Sequence, residues 1–123
     1  MREHHVGSVV ITEIQNDCHV PVGIVTDRDL VIEVLAKQVD LESVTAGDIM
    51  TADLVTVTES YRIWDTIQLM CNKGIRRMPV VNDEKVLVGI ITVDDLLEIV
   101  ISELGNISRL VSVEQKKEKR LRQ

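Results

Sequence analysis

The 123-residue sequence predicts an α/β (α+β sandwich-like) fold, made of two copies of one strand-and-helix unit packed about a pseudo-two-fold axis. Three observations predict it. First, Gly23-Ile24-Val25-Thr26-Asp27-Arg28-Asp29-Leu30 aligns with Gly89-Ile90-Ile91-Thr92-Val93-Asp94-Asp95-Leu96, and residues 1–6 align with 70–75. Second, each copy passes from β-branched stretches into apolar residues at helical spacing. Third, aromatic residues make up only 2% of the chain, with one Trp, one Tyr and no Phe, so the core must be built from Val, Ile, Leu and Met.

In the first copy, residues 8–14 and 20–25 read as two strands of a hairpin, with the turn formers Asn16-Asp17 between them. The loop 15–19 reads as longer than its counterpart 82–85, which absorbs the difference in register between the upstream and downstream alignments. Leu30, Val31, Val34 and Leu35 then give one apolar helical face. Residues 39–50 connect the copies, and Thr45-Ala46-Gly47-Asp48 can cap a short helical turn. In the second copy, 54–57 reads as a strand. Ser60 is placed to cap a helix that runs to about Lys73, buries Ile63, Trp64, Ile67, Met70 and Cys71, and stops at Gly74. Residues 77–81 and 86–91 form a second hairpin around Asn82-Asp83, with Pro79 marking its strand as short or as an edge. Leu96, Leu97, Val100, Ile101 and Leu104 give the closing helix, with Gly105 as its C-cap.

The second unit is therefore strand, helix, strand, strand, helix, whereas the first has no counterpart to residues 50–69. The expectation is either a piece of a longer chain or a first unit built differently. In both cases apolar surface is left uncovered, and a homodimer is expected. The divisions that follow are 1–44, 45–105 and a tail, 106–123. In the tail, Ile107, Leu110 and Val111 form a helical stripe, and Lys116-Lys117-Glu118-Lys119-Arg120-Leu121-Arg122 is basic. That tail reads as a solvated helix end or as a contact for a protein partner.

Composition excludes several classes. A net charge of −6 and the scarcity of aromatics argue against nucleic acid, through both phosphate attraction and base stacking. No apolar run is long enough to span a membrane, and Met1-Arg2-Glu3-His4-His5 lacks the apolar stretch of a signal peptide, so a cytoplasmic setting is expected. Cys18, Cys71, His4, His5 and His19 show no metal-ligand spacing, and no metal is expected. No nucleophile, base and orienting group occur together, so no enzyme activity is expected.

The duplicated Thr26-x-x-Asp29 and Thr92-x-x-Asp95 fall where a strand gives way to a helix. One reading is a capping box, with hydroxyl and carboxylate closing the helix start. The other uses the same geometry for a ribonucleotide: helix-start amides and the Thr hydroxyl meet a phosphate, and the Asp accepts from two vicinal ribose hydroxyls. Sequence leaves both readings open.

The two Gly-Ile-(Val/Ile)-Thr-x-x-Asp corners, together with Asp48-Ile49-Met50-Thr51, Val55-Thr56-Val57 and Arg76-Arg77-Met78-Pro79-Val80-Val81, resemble CBS (cystathionine β-synthase-type) domains paired as a Bateman module. The resemblance covers the chain to about Gly105. It implies two intertwined β-α-β-β-α units, the first truncated, that bind adenosine-containing ligands in clefts between them. It assigns ribose and phosphate contacts to Thr26, Asp29, Thr92 and Asp95, and adenine contacts to Met50, Val57, Met78 and Pro79. Arg28 aligns with Asp94, and Arg76-Arg77 with Gly7-Ser8, so unequal sites are expected, with Arg28, Arg76 and Arg77 drawing phosphate. The function implied is regulatory sensing of AMP, ADP, ATP or an S-adenosylmethionine-like compound, with no cofactor required. The alternative is a ligand-free dimerisation or protein-interaction scaffold.

Overall fold

The structure is a computed structural model and describes residues 1–122. Its elements are β1 (Ser8–Gln15), β2 (Cys18–Thr26), α1 (Asp27–Asp29), α2 (Ala46–Ile49), β3 (Val57–Thr58), α3 (Ile63–Lys73), β4 (Arg77–Val81), β5 (Leu87–Thr92) and α4 (Val93–Leu121). They gather into two compact units: Met1–Arg62 with Met78–Ile90, and Ile63–Arg77 with the chain from Ile91 onward.

In the first unit, β1 and β2 form an antiparallel hairpin that closes with Gln15 opposite Cys18. The turn is only Asn16-Asp17, both left-handed at φ of 51° and 62°, the conformation a two-residue hairpin turn demands and Asn and Asp tolerate. The expected longer loop is thus absent, and the strands run through it. The difference in register is taken up within the ladder, where Ile11 faces Gly23 but Thr12 faces Pro21, which leaves Val22 as a bulge. Pro21, lacking an amide hydrogen, sits where the ladder is already irregular.

After α1 the helix widens. Residues Leu30–Leu35 form a π-helical turn, with Ala36 N–H donating to Val31 O at 2.8 Å and Val39 N–H to Val34 O at 3.0 Å. Val34 is buried on it. Downstream, Thr51 N–H reaches back to Ile24 O at 3.0 Å, which ties the connector to β2.

A three-stranded sheet has the order β3-β4-β5, with β3 parallel to β4 through Val57 opposite Val80 and Thr58 opposite Val81. Pro79 therefore lies in a short but central strand, not on an edge. The parallel partner is only two residues long and pairs beside the proline, not at it. The expected strand at 54–57 shrinks to Val57–Thr58. The turn after β4 is held by the Asn82 side-chain oxygen, which accepts from Glu84 N–H at 3.0 Å and Val86 N–H at 2.9 Å. Buried Ile24, Val25, Val34, Val57, Met78 and Val81 form this unit's core, all aliphatic or Met as the composition required.

The second unit holds α3 and α4. Helix α3 starts at Ile63, and Ser60 does not cap it; the Ser60 hydroxyl lies 3.2 Å from that of Thr58 in the preceding turn. Thr66 and Met70 face inward, but Trp64 is 66% exposed and Cys71 is exposed, against the expectation that both are core. The buried stripe is rotated by part of a turn, onto Thr66 and Met70, and Met70 shares an apolar groove with α4's Leu96. Gly74, at φ 65°, ends α3: Ile75 N–H bonds Met70 O at 3.1 Å and Gly74 N–H bonds Cys71 O at 3.2 Å. The repeat reappears at the chain's start, where His5 has φ 52°, Val6 N–H bonds Met1 O at 3.1 Å and His5 N–H bonds Arg2 O at 3.4 Å.

Helix α4 does not stop at Gly105. It runs unbroken for 29 residues, and Gly105 stays right-handed within it. A glycine in a helix interior costs about 0.5–1 kcal/mol relative to Ala, which strong helix formers on both sides outweigh.

Gly23 is required by packing. A Cβ there would lie 2.3 Å from Met50 Sδ and 3.0 Å from Met50 Cβ, whereas one on its repeat counterpart Gly89 meets nothing within 4 Å. Gly23→Ala is expected to lower the urea midpoint by an amount equal to about 1–3 kcal/mol, and Gly89→Ala to leave it nearly unchanged.

Candidate functional site

The two strand-to-helix corners share one construction. In the first, Asp27 N–H, which opens α1, donates to Gly7 O at 2.9 Å. In the second, Val93 N–H, which opens α4, donates to Arg76 O at 2.9 Å. Gly7 and Arg76, and Asp27 and Val93, are the pairs the repeat aligns, so the backbone path is duplicated along with the sequence.

Both corners are capping boxes. At the first, Thr26 N–H and Thr26 Oγ1 each donate to Asp29 Oδ2 at 2.7 Å, and Asp29 N–H donates back to Thr26 Oγ1 at 3.1 Å. At the second, Thr92 N–H and Oγ1 donate to Asp95 Oδ2 at 2.8 and 2.7 Å, and Asp95 N–H donates to Thr92 Oγ1 at 3.3 Å. In each, a single carboxylate oxygen carries the cap, and Oδ1 has no hydrogen bond among the described residues. The Thr proton is spent on the Asp, so the hydroxyl can donate to a phosphate only by releasing that bond.

The corners differ in what remains. At the first, Arg28 N–H donates to Asp27 Oδ1 at 2.8 Å, so all three amides of α1 are engaged, and the positive charge on offer is the exposed Arg28 side chain. At the second, the Asp94 amide has no hydrogen bond among the described residues, but its own carboxylate is close by. Arg76, exposed, and Arg77, half-buried, flank that corner through the Arg76 carbonyl. Each corner thus has an arginine backbone group in it, the Arg28 amide in one and the Arg76 carbonyl in the other.

Of the four adenine candidates, three are core. Met78 is 0% exposed, Pro79 is fully buried and Val57 is 6% exposed, so their side chains are used for packing. Met50 is half-buried and lies against Gly23. Two hollows of the first unit were not foreseen. One of about 410 Å³ is bordered by Thr56, Thr58, Asn82 and Lys85. The other, of about 450 Å³, is mainly apolar and lies between the β1–β2 hairpin and the segment after it, with Val9, Ile11, Val25, Leu30 and Val34 on its walls. The first takes Thr56 and Val81, and the second Val25 and Ile49, from the motifs that carry the family resemblance, and none of these is among the candidate site residues.

The cap expected at Thr45-Ala46-Gly47-Asp48 is present as a third box. Thr45 N–H and Oγ1 donate to Asp48 Oδ2 at 2.8 and 2.7 Å, which closes α2 in the same way but without the preceding Gly-Ile strand.

Residues 46–102 match the CBS domain family. The chain belongs to the CBS-domain family. An uncharacterized protein of Methanopyrus kandleri is 44% identical over 99 residues, which cover 80% of this chain and 49% of that protein. The chain spans about half the length of the first curated relatives it matches. Among solved structures, a protein with CBS domains from Burkholderia ambifaria superposes with a TM-score of 0.70 at 28% identity, covering 83% of this chain and 71% of that one. The CBS domain pair of protein MJ0100, solved with 5′-methylthioadenosine and S-adenosyl-L-methionine, superposes with a TM-score of 0.68 at 25% identity, covering 83% and 76%. Among the described residues, no helix is long and apolar enough to cross a membrane.

Asp48 titrates below the usual carboxylate range, first because the Thr45 hydroxyl donates to its ionised form and second because the Thr45 amide does the same. The folded pKa is depressed. The cap's contribution is therefore present above the ordinary value of 3.8 and is lost as pH falls through the lower folded value. Acid titration of stability is expected to show a smaller drop below pH 4 (~the unfolded Asp pKa) in Asp48→Asn than in the parent chain.

Proposed function

We propose that this CBS-domain chain is a regulatory module that senses an adenosine-containing ligand, AMP, ADP, ATP or an S-adenosylmethionine-like compound, and signals by shifting its conformation or assembly. Residues 1–44 and 45–105 are read as its two CBS units, with 106–123 continuing the last helix. The observation that carries the reading is the duplicated corner with one aspartate oxygen left over. In this reading Asp29 and Asp95 take ribose hydroxyls on Oδ1 while Oδ2 keeps the helix start in place. Arg28 serves the phosphates at one corner and Arg76 and Arg77 at the other. The solved CBS pair with two adenosyl compounds bound supports the ligand class. A ligand can shift such a module only by binding its two arrangements with different affinity.

The second reading is a ligand-free scaffold. It is favoured by the saturation of both Thr hydroxyls, which makes helix capping sufficient reason for the motif.

Titration calorimetry with AMP, ADP, ATP and S-adenosylmethionine separates them. Removing a charge-assisted acceptor is expected to weaken binding about tenfold or more in Asp29→Ala or Asp95→Ala. Asp48→Ala, which removes the carboxylate of the third box, is expected to lower stability and leave affinity unchanged. If the parent chain binds none of the four compounds, the scaffold reading stands instead.

A further inference from the structure

We propose that α4 is a self-association element that pairs antiparallel with α4 of a second copy of this chain. Independently of any ligand, two features of the helix lead there.

The first is uncovered apolar surface. From Ile101 to Arg122 every residue of α4 is exposed, yet Ile101, Leu104, Ile107 and Val111 recur at the three- and four-residue spacing that makes one stripe. Ile101 is 66% exposed, and Leu104 and Ile107 are each 60% exposed. Toward the N-terminus the stripe continues into Leu97 and Val100. There it borders an almost wholly apolar groove of about 530 Å³, whose other walls include Trp64, Ile67 and Cys71 of α3. A long helix with an apolar stripe of this spacing is the form that pairs side by side with another helix, and Ile99, Leu110 and Val113 lie off the stripe.

The second feature selects the occupant and its direction. The first half of α4 carries Asp94, Asp95, Glu98 and Glu103 with no cation. The last turns carry Lys116, Lys117, Lys119, Arg120 and Arg122 against Glu114 and Glu118, and Arg109 stands between. The helix is therefore complementary to itself when reversed. An antiparallel pair centred near Ile107 sets residues 94–98 of one copy opposite 116–120 of the other, at both ends at once. A parallel pair stacks cation on cation and acid on acid. An anionic lipid surface suits the basic end but is repelled by the acidic half, so a second copy accounts for the whole helix and a membrane does not.

Light scattering on the full chain is expected to give a dimer. Leu104→Glu with Ile107→Glu, both at exposed positions so that the fold is retained by circular dichroism, is expected to weaken dimerisation by roughly a hundredfold. Direction is read by oxidation in a Cys18→Ser, Cys71→Ser background: Ile107→Cys is expected to form a disulfide-linked dimer and Leu121→Cys is not. A monomeric parent chain, a dimer that survives the double substitution, or Leu121→Cys coupling as readily as Ile107→Cys would each overturn the proposal. So would a monomer that sediments with phosphatidylserine vesicles, which gives the stripe to a membrane.

Discussion

Both halves of this chain turn on one short link: the amide that opens a helix donates to a carbonyl just upstream of a hairpin. Asp27 to Gly7 and Val93 to Arg76 are the same bond made twice. Each fixes where the second hairpin strand ends and the direction in which the helix leaves. The Thr–Asp box then engages the third amide of each helix and the Thr amide, worth about 1 kcal/mol at each cap. Without that link the aligned Gly-Ile-Thr segments would have no common geometry, and the buried residues next to them, Ile24 and Val25 in one unit and Leu96 in the other, would lose their placement.

The link also shapes what the corners can bind. A capping box is fully satisfied in isolation, so a ligand gains nothing by replacing it and must use what the box leaves over. What is left is one carboxylate oxygen per corner, since Oδ2 carries the cap. The structural role of the motif is complete in the cap, so the two readings divide over affinity and not over fold.

Much of the fold was legible because its signals were local. Asn16-Asp17 and Gly74 demand left-handed backbone, and Thr-x-x-Asp closes a helix start whatever surrounds it. The aligned stretches 1–6 and 70–75 share a left-handed residue at His5 and Gly74, although at His5 no glycine advertises it. Features set by packing were not legible. Trp64 lies on the apolar side of α3's pattern yet faces outward, because the helix rests on Met70 and Thr66. Gly105 looks like a stop, but stopping needs a left-handed residue and a partner for the following amide, and continued helix costs less. The wide turn at Leu30–Leu35 carries no composition of its own. Met78 and Pro79 are fully buried, a degree of burial that their place in a motif does not reveal, because it is set by the strands on either side.

The acid-to-base gradient along α4 also opposes the helix macrodipole at both ends, with Asp94 and Asp95 at the positive terminus and Lys119 and Arg120 at the negative one. Much of the order of this long solvated rod therefore rests on interactions that dissolved ions screen within about 8 Å at physiological strength. Its outer turns are the part of the molecule whose helicity should track the ionic medium most closely, while the hairpin cores, held by buried aliphatic contacts, stay indifferent to it.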